Sequence, residues 1–433
     1  MSKPTDIERV SQNRVVKLFK EELNYTYLGD WEEREGNSNI EEEYLTNYLK
    51  HKGYSDGHIS KAIFELQQVA TNFSDGLYTT NKNVYSKLRN GVKVKVSAGE
   101  NYDTVKLINW QDPQDNDFYI AEEVTYKGNK TKRPDIVLYI NGIAIAVLEL
   151  KRGIVDIGEG IRQNITNMQD RFIQPFFATN QILFSGNDSE GLRYGTISSP
   201  EKFYLSWKED IEDNSRLLLD KYLLKMCSKE RIIELLYDFI VFDAGIKKLP
   251  RAHQYFGVKE SQKYVNRSEG GIIWHTQGSG KSISMVYLAK WILEINPNAR
   301  VAIVTDRDEL DKQIEGVFTD SGEMIFRTKS GRDLMGKLGQ PSPRLLCSLV
   351  HKFGKKDVAN FEKYLKELSE NPVQVSGELF VFVDECHRTQ SGKLHKTMKA
   401  MLPNAVFIGF TGTPLLIKDK RSSLEVFGKY IHT

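Results

Sequence analysis

Along the N-terminal part of the chain, apolar residues recur with helical spacing. Val10, Val15, Val16, Leu18, Phe19 and Leu23 fall near a 3.6-residue period, which predicts an amphipathic helix over residues 8–24. The segment NIEEEYLTNYLKHKGY repeats the pattern and runs into Gly53, a residue suited to ending a helix. Between residues 92 and 151 the period changes to two. VKVKVSAG, TVKLINW and DFYIAEEVTY alternate as strands do, with the turn-rich QDPQDND between two of them. A helix is expected over about 156–168, short strands at QILFSGN and RYGTI, and helix again over 214–242. From GIKKLPRAHQYFGVKE onward strand and helix alternate, the order that builds a parallel sheet. The pattern therefore predicts two α/β units, residues 1–245 and 246–433.

One hairpin breaks the rules for a buried element. RPDIVLYINGIAIAVLELKRG, residues 133–153, is two apolar strands around Asn141-Gly142, with Asp135, Glu149 and Lys151 at their outer ends. Alternation puts Ile143, Ile145, Val147, Glu149 and Lys151 on one face and Ala144, Ala146, Leu148 and Leu150 on the other. Both faces are apolar, as in a central strand covered on both sides. Burying Glu149 and Lys151 there is costly unless they are paired or hold a metal. A tight two-residue turn would pair Ile140 with Ile143 and send Asp135 to the face opposite Glu149, so an odd loop over 141–143 or a bulge is expected if the two carboxylates share a cation. Such a pair suits phosphodiester hydrolysis, where a Mg2+ ion held by carboxylates activates water and Lys151 steadies the developing charge. Lys127, Lys130, Lys132 and Arg133 in YKGNKTKRPD supply cations for backbone phosphates. Taken alone, a salt-bridged strand end would explain the same residues.

The totals narrow the setting. Over 433 residues the net charge is +2, so nucleic-acid binding must come from local patches. Cys227, Cys347 and Cys386 are too few and too scattered for a disulfide framework or an unaided zinc site. The N-terminal residues lack the apolar core of a secretion signal and no run is long enough to cross a membrane, so a cytoplasmic protein is expected.

The second unit carries a nucleotide signature. In GGIIWHTQGSGKSISMVYLAKWI a strand end, a glycine-rich turn and a helix follow one another, and the phosphate-loop pattern G-x-x-x-x-G-K-[ST] is met except that His275 stands at its first glycine. Thr276 opens the turn, and the backbone N–H groups of Gly278, Ser279 and Gly280 can wrap a phosphate at the helix N-terminus. Lys281 would reach the outer phosphates of ATP and Ser282 would ligate Mg2+. In ELFVFVDECHR an apolar strand ends in Asp384-Glu385, the carboxylates needed to hold that ion and polarise the attacking water. With VFIGFTGTP (406–414) and ARVAIVTDRDELDKQI, these segments resemble the motor core of superfamily 2 helicases and translocases. The resemblance implies a RecA-like fold, adenine reading by Gln254, coupling through Thr411 and Thr413, and a DNA contact at Arg307. It also implies a second motor domain across a cleft, so little ATP turnover is expected from these residues alone.

INWQDPQDNDFYIAEEVTYKGNKTKRPDIVLYINGIAIAVLELKRG looks like the PD-(D/E)XK nuclease segment of type I restriction enzyme motor subunits, and a nuclease followed at once by a superfamily 2 motor is the order of those subunits. TQGSGKS, DECHR, FTGTP and SLVHKFGK add to the likeness, the last with Lys352 as a DNA contact. By this resemblance Asp135, Glu149 and Lys151 take the nuclease roles, and Gln163 matches the glutamine of a Q-x-x-x-Y motif whose tyrosine is Asn167 here. The implied activity is cleavage of double-stranded DNA coupled to ATP-driven translocation. The implied partners are methyltransferase and specificity subunits. Two other readings fit the same residues: a different nuclease–helicase fusion in repair or antiphage defence, or an ATP-gated DNA-binding module with a vestigial nuclease.

Overall fold

The computed structural model of the chain describes residues 4–96, 101–209, 213, 215–305, 318, 325–349, 366–367, 370, 374–384, 386, 397–412 and 426–433. It divides into two compact α/β units, Met1–Arg251 and Ala252–Thr433.

In the first unit seven strands line up in chain order: β1 (Thr26–Asp30), β2 (Phe118–Glu122), β3 (Ile136–Ile140), β4 (Ile143–Leu150), β5 (Ile182–Asn187), β6 (Gly191–Gly195) and β7 (Leu205–Ser206). β1–β2 and β4–β5 are parallel pairs and the other neighbours are antiparallel. Every residue of β3 and β4 is buried, as their two apolar faces require. The helix expected at the N-terminus is α1 (Pro4–Glu21), which packs on β1, β2 and β4. Next come α2 (Glu42–His51), α3 (Asp56–Ala70) and α4 (Gly76–Asn90), and then α5 (Gly158–Asn167), which lies on β4 and β5.

Three sequence expectations meet local chemistry that alternation does not show. TVKLINW is strand only at Asp103–Val105. Asn116 donates to the Asn109 carbonyl (2.8 Å) and accepts from the Asn109 N–H (2.8 Å), so side chains take the backbone groups a ladder would use. DFYIAEEVTY stops at Glu122 because Glu123 adopts a left-handed φ of 52°. The long helix over 214–242 is two, α6 (Leu218–Met226) and α7 (Lys229–Asp238), because the Ser228 side chain accepts from Arg231 N–H and starts a new helix.

The second unit contains α8 (Ala252–Asn266), β8 (Gly271–Trp274), α9 (Lys281–Ile295), β9 (Ala299–Thr305), β10 (Ile325–Thr328), α10 (Gly331–Leu338), β11 (Leu345–Leu349), β12 (Glu378–Asp384), β13 (Val406–Thr411) and β14 (Tyr430–His432). Its sheet is parallel throughout, in the order β10-β11-β9-β12-β13-β8-β14. Parallel neighbours need crossovers, and right-handed crossovers leave functional groups at the C-terminal ends of the strands. All three cysteines are buried and none is in a disulfide. Among the described residues no helix is long and apolar enough to cross a membrane.

The turn that sets the central hairpin is intolerant of side chains. Asn141 and Gly142 have φ of 53° and 85°, and a Cβ on Gly142 would lie 2.7 Å from both Glu41 O and Leu45 N. Gly142→Ala is expected to destabilise the chain by about 2 kcal/mol, read as a lower urea midpoint. An unshifted midpoint would mean that the turn does not anchor the sheet.

Candidate functional site

Thirteen residues separate Asp135 from Glu149. The two-residue turn consumes two and leaves eleven (13 − 2), an odd number that cannot all pair. One residue must therefore bulge. Ile140 pairs with Ile143 and Tyr139 with Ala144, but Leu138 then pairs with Ala146, Val137 with Val147 and Ile136 with Leu148. Ile145 is the extra residue, and the shifted register sets Asp135 across from Glu149. Of the two devices expected from the spacing, the bulge is present and the three-residue loop is not. The bulge also corrects the face assignment: Ala144 and Val147, expected on opposite faces, pack with Tyr139, Val137 and Ile161 in one cluster.

The hairpin's polar ends converge. Glu149 is fully buried, and its carboxyl lies within hydrogen-bonding reach of that of Asp135. Asp135 Oδ2 accepts from the Leu150 N–H at 2.7 Å, and Lys151 Nζ lies 3.8 Å from the same oxygen while donating to Leu150 O at 2.8 Å. Asn167, at the end of α5, is 3.5 Å from Glu149 Oε1. Gln163, one turn earlier on that helix, is partly exposed. Burial raises the Glu149 carboxyl well above the usual carboxylate range, the Asp135 charge raises it further, and Lys151 opposes both. Glu149 Oε2 is buried with no hydrogen-bond partner. Two carboxyls in contact, one oxygen of them unsatisfied, suit a divalent cation, which would meet both needs at once. Among the described residues no three His, Cys, Asp or Glu side chains gather to hold a metal, so such an ion would draw its other ligands from elsewhere than a third carboxylate.

The basic residues before Asp135 divide into two groups. Arg133 is exposed and paired with two acids of the same unit, its Nε 2.7 Å from Glu123 Oε2 and a further bond reaching Glu32. Lys130 and Lys132 instead extend over the Phe172 ring at 5.6 and 4.5 Å, where Arg171 joins them at 5.0 Å. Arg171 and Phe172 carried no sequence signal. They meet the lysines only because Asn129 bonds Phe172 O through its N–H (3.0 Å) and Asp170 O through its side chain (2.7 Å), and a Cβ on Gly128 would stand 2.4 Å from Phe172 O.

In the second unit the glycine-rich turn joins β8 to α9 with Gly278 and Gly280 at φ of 76° and 83°. Gln254, expected to read adenine, donates its side-chain N–H groups to Ser279 O (3.1 Å) and Gly280 O (2.9 Å), and a His253 ring nitrogen lies 3.0 Å from Ser279 O. These bonds hold the turn's carbonyls on the α8 side. Ser279 Oγ is buried and unpartnered, Thr276 and Gly278 are exposed, and Ser282 is partly exposed. Lys281 Nζ lies 3.5 Å from His275 O, in the place where a Cβ on Gly412 would come within 2.8 Å of it. His275 fits where a glycine was expected because α8 offers Gly257, whose Cβ would stand 2.9 Å from His275 Cε1. Burial, with His253 and His432 close by, pushes the His275 imidazole down to about 3, so it is neutral there. Across the strand ends Trp274 pairs with Thr411 and Asp384 with Phe410, so the three motif strands end level. Asp384 Oδ2 accepts from Thr305 Oγ1 at 3.4 Å. Glu385, Thr413, Arg307 and Lys352 lie outside the described residues.

Two families match the chain in succession: residues 7–202 match the type I restriction enzyme R protein N terminus, and residues 253–433 match the SWI2/SNF2 ATPase. A provisionally named type I restriction enzyme MjaIXP endonuclease subunit of Methanocaldococcus jannaschii is 31% identical over 80% of this chain and 36% of its own length. The type I restriction enzyme HindI endonuclease subunit of Haemophilus influenzae is 30% identical over 82% of this chain and 37% of its own. The chain thus spans a little over a third of the length of these relatives. Among solved structures, the UvsW helicase of bacteriophage T4 aligns at a TM-score of 0.34 with 19% identity, over 47% of this chain and 67% of that one, a likeness too slight to bear on the site.

The Glu149 carboxyl gives a solution test. The folded chain holds this proton more tightly than the unfolded chain does, so its contribution to stability is present below the unfolded value of roughly 4.3 and is lost as pH rises through the raised folded value. In divalent-free buffer Glu149→Gln should melt higher than the parent at neutral pH and lack that decline. Matching pH profiles for the two would contradict the buried, proton-holding pair.

Proposed function

We propose that this chain, which belongs to the type I restriction enzyme endonuclease-subunit family, carries the cutting domain and the first half of the ATP-driven motor of a DNA-restriction complex. The observation that supports cutting most directly is the bulged register that brings Asp135 and Glu149 together beside Lys151. Asp135 and Glu149 would hold Mg2+. When bound, the ion supplies a polarised water and charge neutralisation for hydrolysis of a phosphodiester in double-stranded DNA. Lys151, tethered between Leu150 O and Asp135 Oδ2, offers its ammonium to the negative charge that develops on the phosphate. Asn167 steadies Glu149 from α5, and Gln163 on the same helix is available to the substrate. Lys130 and Lys132 take backbone phosphates. Arg133 acts indirectly, bracing the approach to Asp135 through Glu123 and Glu32.

In the motor half, the N–H groups of Gly278, Ser279 and Gly280 cradle the ATP phosphates, Lys281 pairs with their charge, and Thr276 and Ser282 border them. Ser282 and Asp384 would hold the accompanying Mg2+, with Glu385 beside Asp384 placing the attacking water. Gln254 shapes the loop from α8 and, as the helicase resemblance implies, would read the adenine edge. Thr411 and Thr413 couple nucleotide state to DNA, which Arg307 and Lys352 contact. Methyltransferase and specificity subunits would provide target recognition, as the likeness to type I restriction enzyme subunits implies.

Two experiments test this. Mg2+-dependent nicking of supercoiled plasmid should fall at least a hundredfold in Glu149→Ala and in Lys151→Ala while chelator abolishes it in the parent; equal nicking by parent and Glu149→Ala would remove the nuclease assignment. Lys281→Ala should lower affinity for a fluorescent ATP analogue at least tenfold, and unchanged affinity would contradict the phosphate-loop role.

A further inference from the structure

Beside the Asp135–Glu149 pair stands a group of cations gathered on one aromatic ring. Lys130 Nζ lies 5.6 Å and Lys132 Nζ 4.5 Å from the centre of the Phe172 ring, and the Arg171 guanidinium lies 5.0 Å from it. Lys130 and Arg171 are exposed, Lys132 and Phe172 partly so. Among the described residues none of the three cations meets a carboxylate. Arg171 Nε donates to the Gln169 amide oxygen at 2.8 Å, and Asp170, the acid beside it in the chain, turns Oδ1 to the Arg171 N–H at 2.7 Å. The other basic residues of the same stretch behave differently. Lys127 pairs with Glu35, and Arg133 with Glu123 and Glu32.

The fold holds this group from two sides. A two-stranded ribbon, Tyr126–Lys127 with Thr131–Lys132, sets Tyr126 opposite Lys132, and the Tyr126 ring packs on the buried Phe176 at 5.1 Å. The segment after α5 is pinned by Ile173, which is fully buried and donates its N–H to Asn167 O at 3.2 Å. Asn129 joins the two through its bonds to Phe172 O and Asp170 O. Three like charges repel one another, and the negative face of the ring is what draws them together. That face is taken by cations and is not open to stack a base. What the arrangement presents outward is positive charge at fixed positions, whose complement is a row of phosphates.

Position ties the group to the cutting site. Lys132 comes three residues before Asp135, so their Cα atoms are no more than about 11 Å apart. Phosphates recur about every 3.4 Å of rise along one strand, so that span is on the order of three nucleotides. We propose that Lys130, Lys132 and Arg171 together grip DNA backbone phosphates next to the one being cut, and that Phe172 is the positioning residue that sets them. This rests on Asp135 and Glu149 as the cutting pair. It adds Arg171 to the substrate contacts and gives Phe172 a part in binding without touching the reacting atoms.

Fluorescence anisotropy of a fluorescein-labelled DNA duplex with the whole chain in EDTA, repeated across KCl concentrations, reads the phosphates neutralised with no cutting in the signal. The slope of log affinity against log salt should lose about 0.9 of its magnitude in each of Lys130→Gln, Lys132→Gln and Arg171→Gln. Phe172→Leu removes no charge, yet it should lose about 0.9 or more as the cations scatter, and Phe172→Trp should restore the parental slope. Thermal melts of these variants should match the parent's, since all four side chains are at least partly exposed. In Mg2+, Lys132→Gln and Arg171→Gln should raise KM for plasmid nicking about threefold or more with kcat unchanged. Parental slopes or an unaltered KM in Lys132→Gln and Arg171→Gln overturn the grip, and a parental slope in Phe172→Leu overturns the positioning role. Reduced slopes uphold the grip on DNA even in a chain that fails to nick plasmid, whereas parental slopes in a chain that does nick overturn it and leave the nuclease reading intact.

Discussion

The first unit is organised by the need to keep two carboxylates side by side inside a buried sheet. Alternation along a strand has period two, so the residue count between Asp135 and Glu149 decides whether they meet or face away. Thirteen intervening residues and a two-residue turn give the wrong parity, and the Ile145 bulge restores it. Neighbouring elements are fitted to that outcome. Ser185 pairs with Glu149 from β5, and α5 crosses closely enough that a Cβ on Gly160 would stand 2.3 Å from Ser185 Oγ and 3.4 Å from Glu149 Cβ. A buried carboxyl without a full complement of partners costs several kcal/mol, which this sheet tolerates where an ordinary core would replace the residue.

Charge around that pair is managed by the N-terminal helix. Glu122 ends β2, next to β3, and Glu123 follows it, its N–H bonding Asp135 O at 2.9 Å. Gln12 donates to Glu122 Oε2 (2.9 Å) and Glu123 Oε1 (3.0 Å), while Arg9 bonds Asp30 at 3.1 Å and Glu122 at 3.4 Å. With Arg133 on Glu123, each acid of this edge has a donor, so repulsion on the Asp135–Glu149 pair from this side is reduced. Thus α1 does more than cover apolar surface: it keeps an acid-rich sheet edge compatible with folding.

Much of this was legible in order and much less in contact. The period of the apolar residues marked the helices, the hairpin and the parallel unit, and residue type with spacing marked Asp135, Glu149, Lys151, Lys281 and Asp384. Parity even announced that a bulge or odd loop was needed, because counting residues is a one-dimensional problem. Its location was not legible, since Ile145 differs in no chemical way from its neighbours. Nor was the fate of the side chains that bond backbone. Asn116 ends a strand, Ser228 splits a helix and Gln254 turns to the phosphate loop, each by a hydrogen bond whose partner is set by the fold. Arg171 is a further case: it carried no sequence signal and joins Lys130 and Lys132 over the Phe172 ring through contacts that only the fold supplies.

The nucleotide loop uses the same economy of side-chain-to-backbone bonds. The Ser279 and Gly280 carbonyls are held by Gln254 and His253, which turns the N–H groups of Gly280 and Lys281 to the opposite side, where phosphate oxygens would need them, while Ser279 N–H donates to Thr276 O at 3.2 Å. A glycine at position 275 would add freedom that such a clamped loop does not need. The neutral His275 fills the space beside Gly257 and bonds His432 of β14 at 3.0 Å, tying the loop's start to the last strand of the sheet. The departure from the glycine pattern is therefore consistent with a phosphate loop whose shape is set from α8, with Gly278 and Gly280 retained where positive φ requires them.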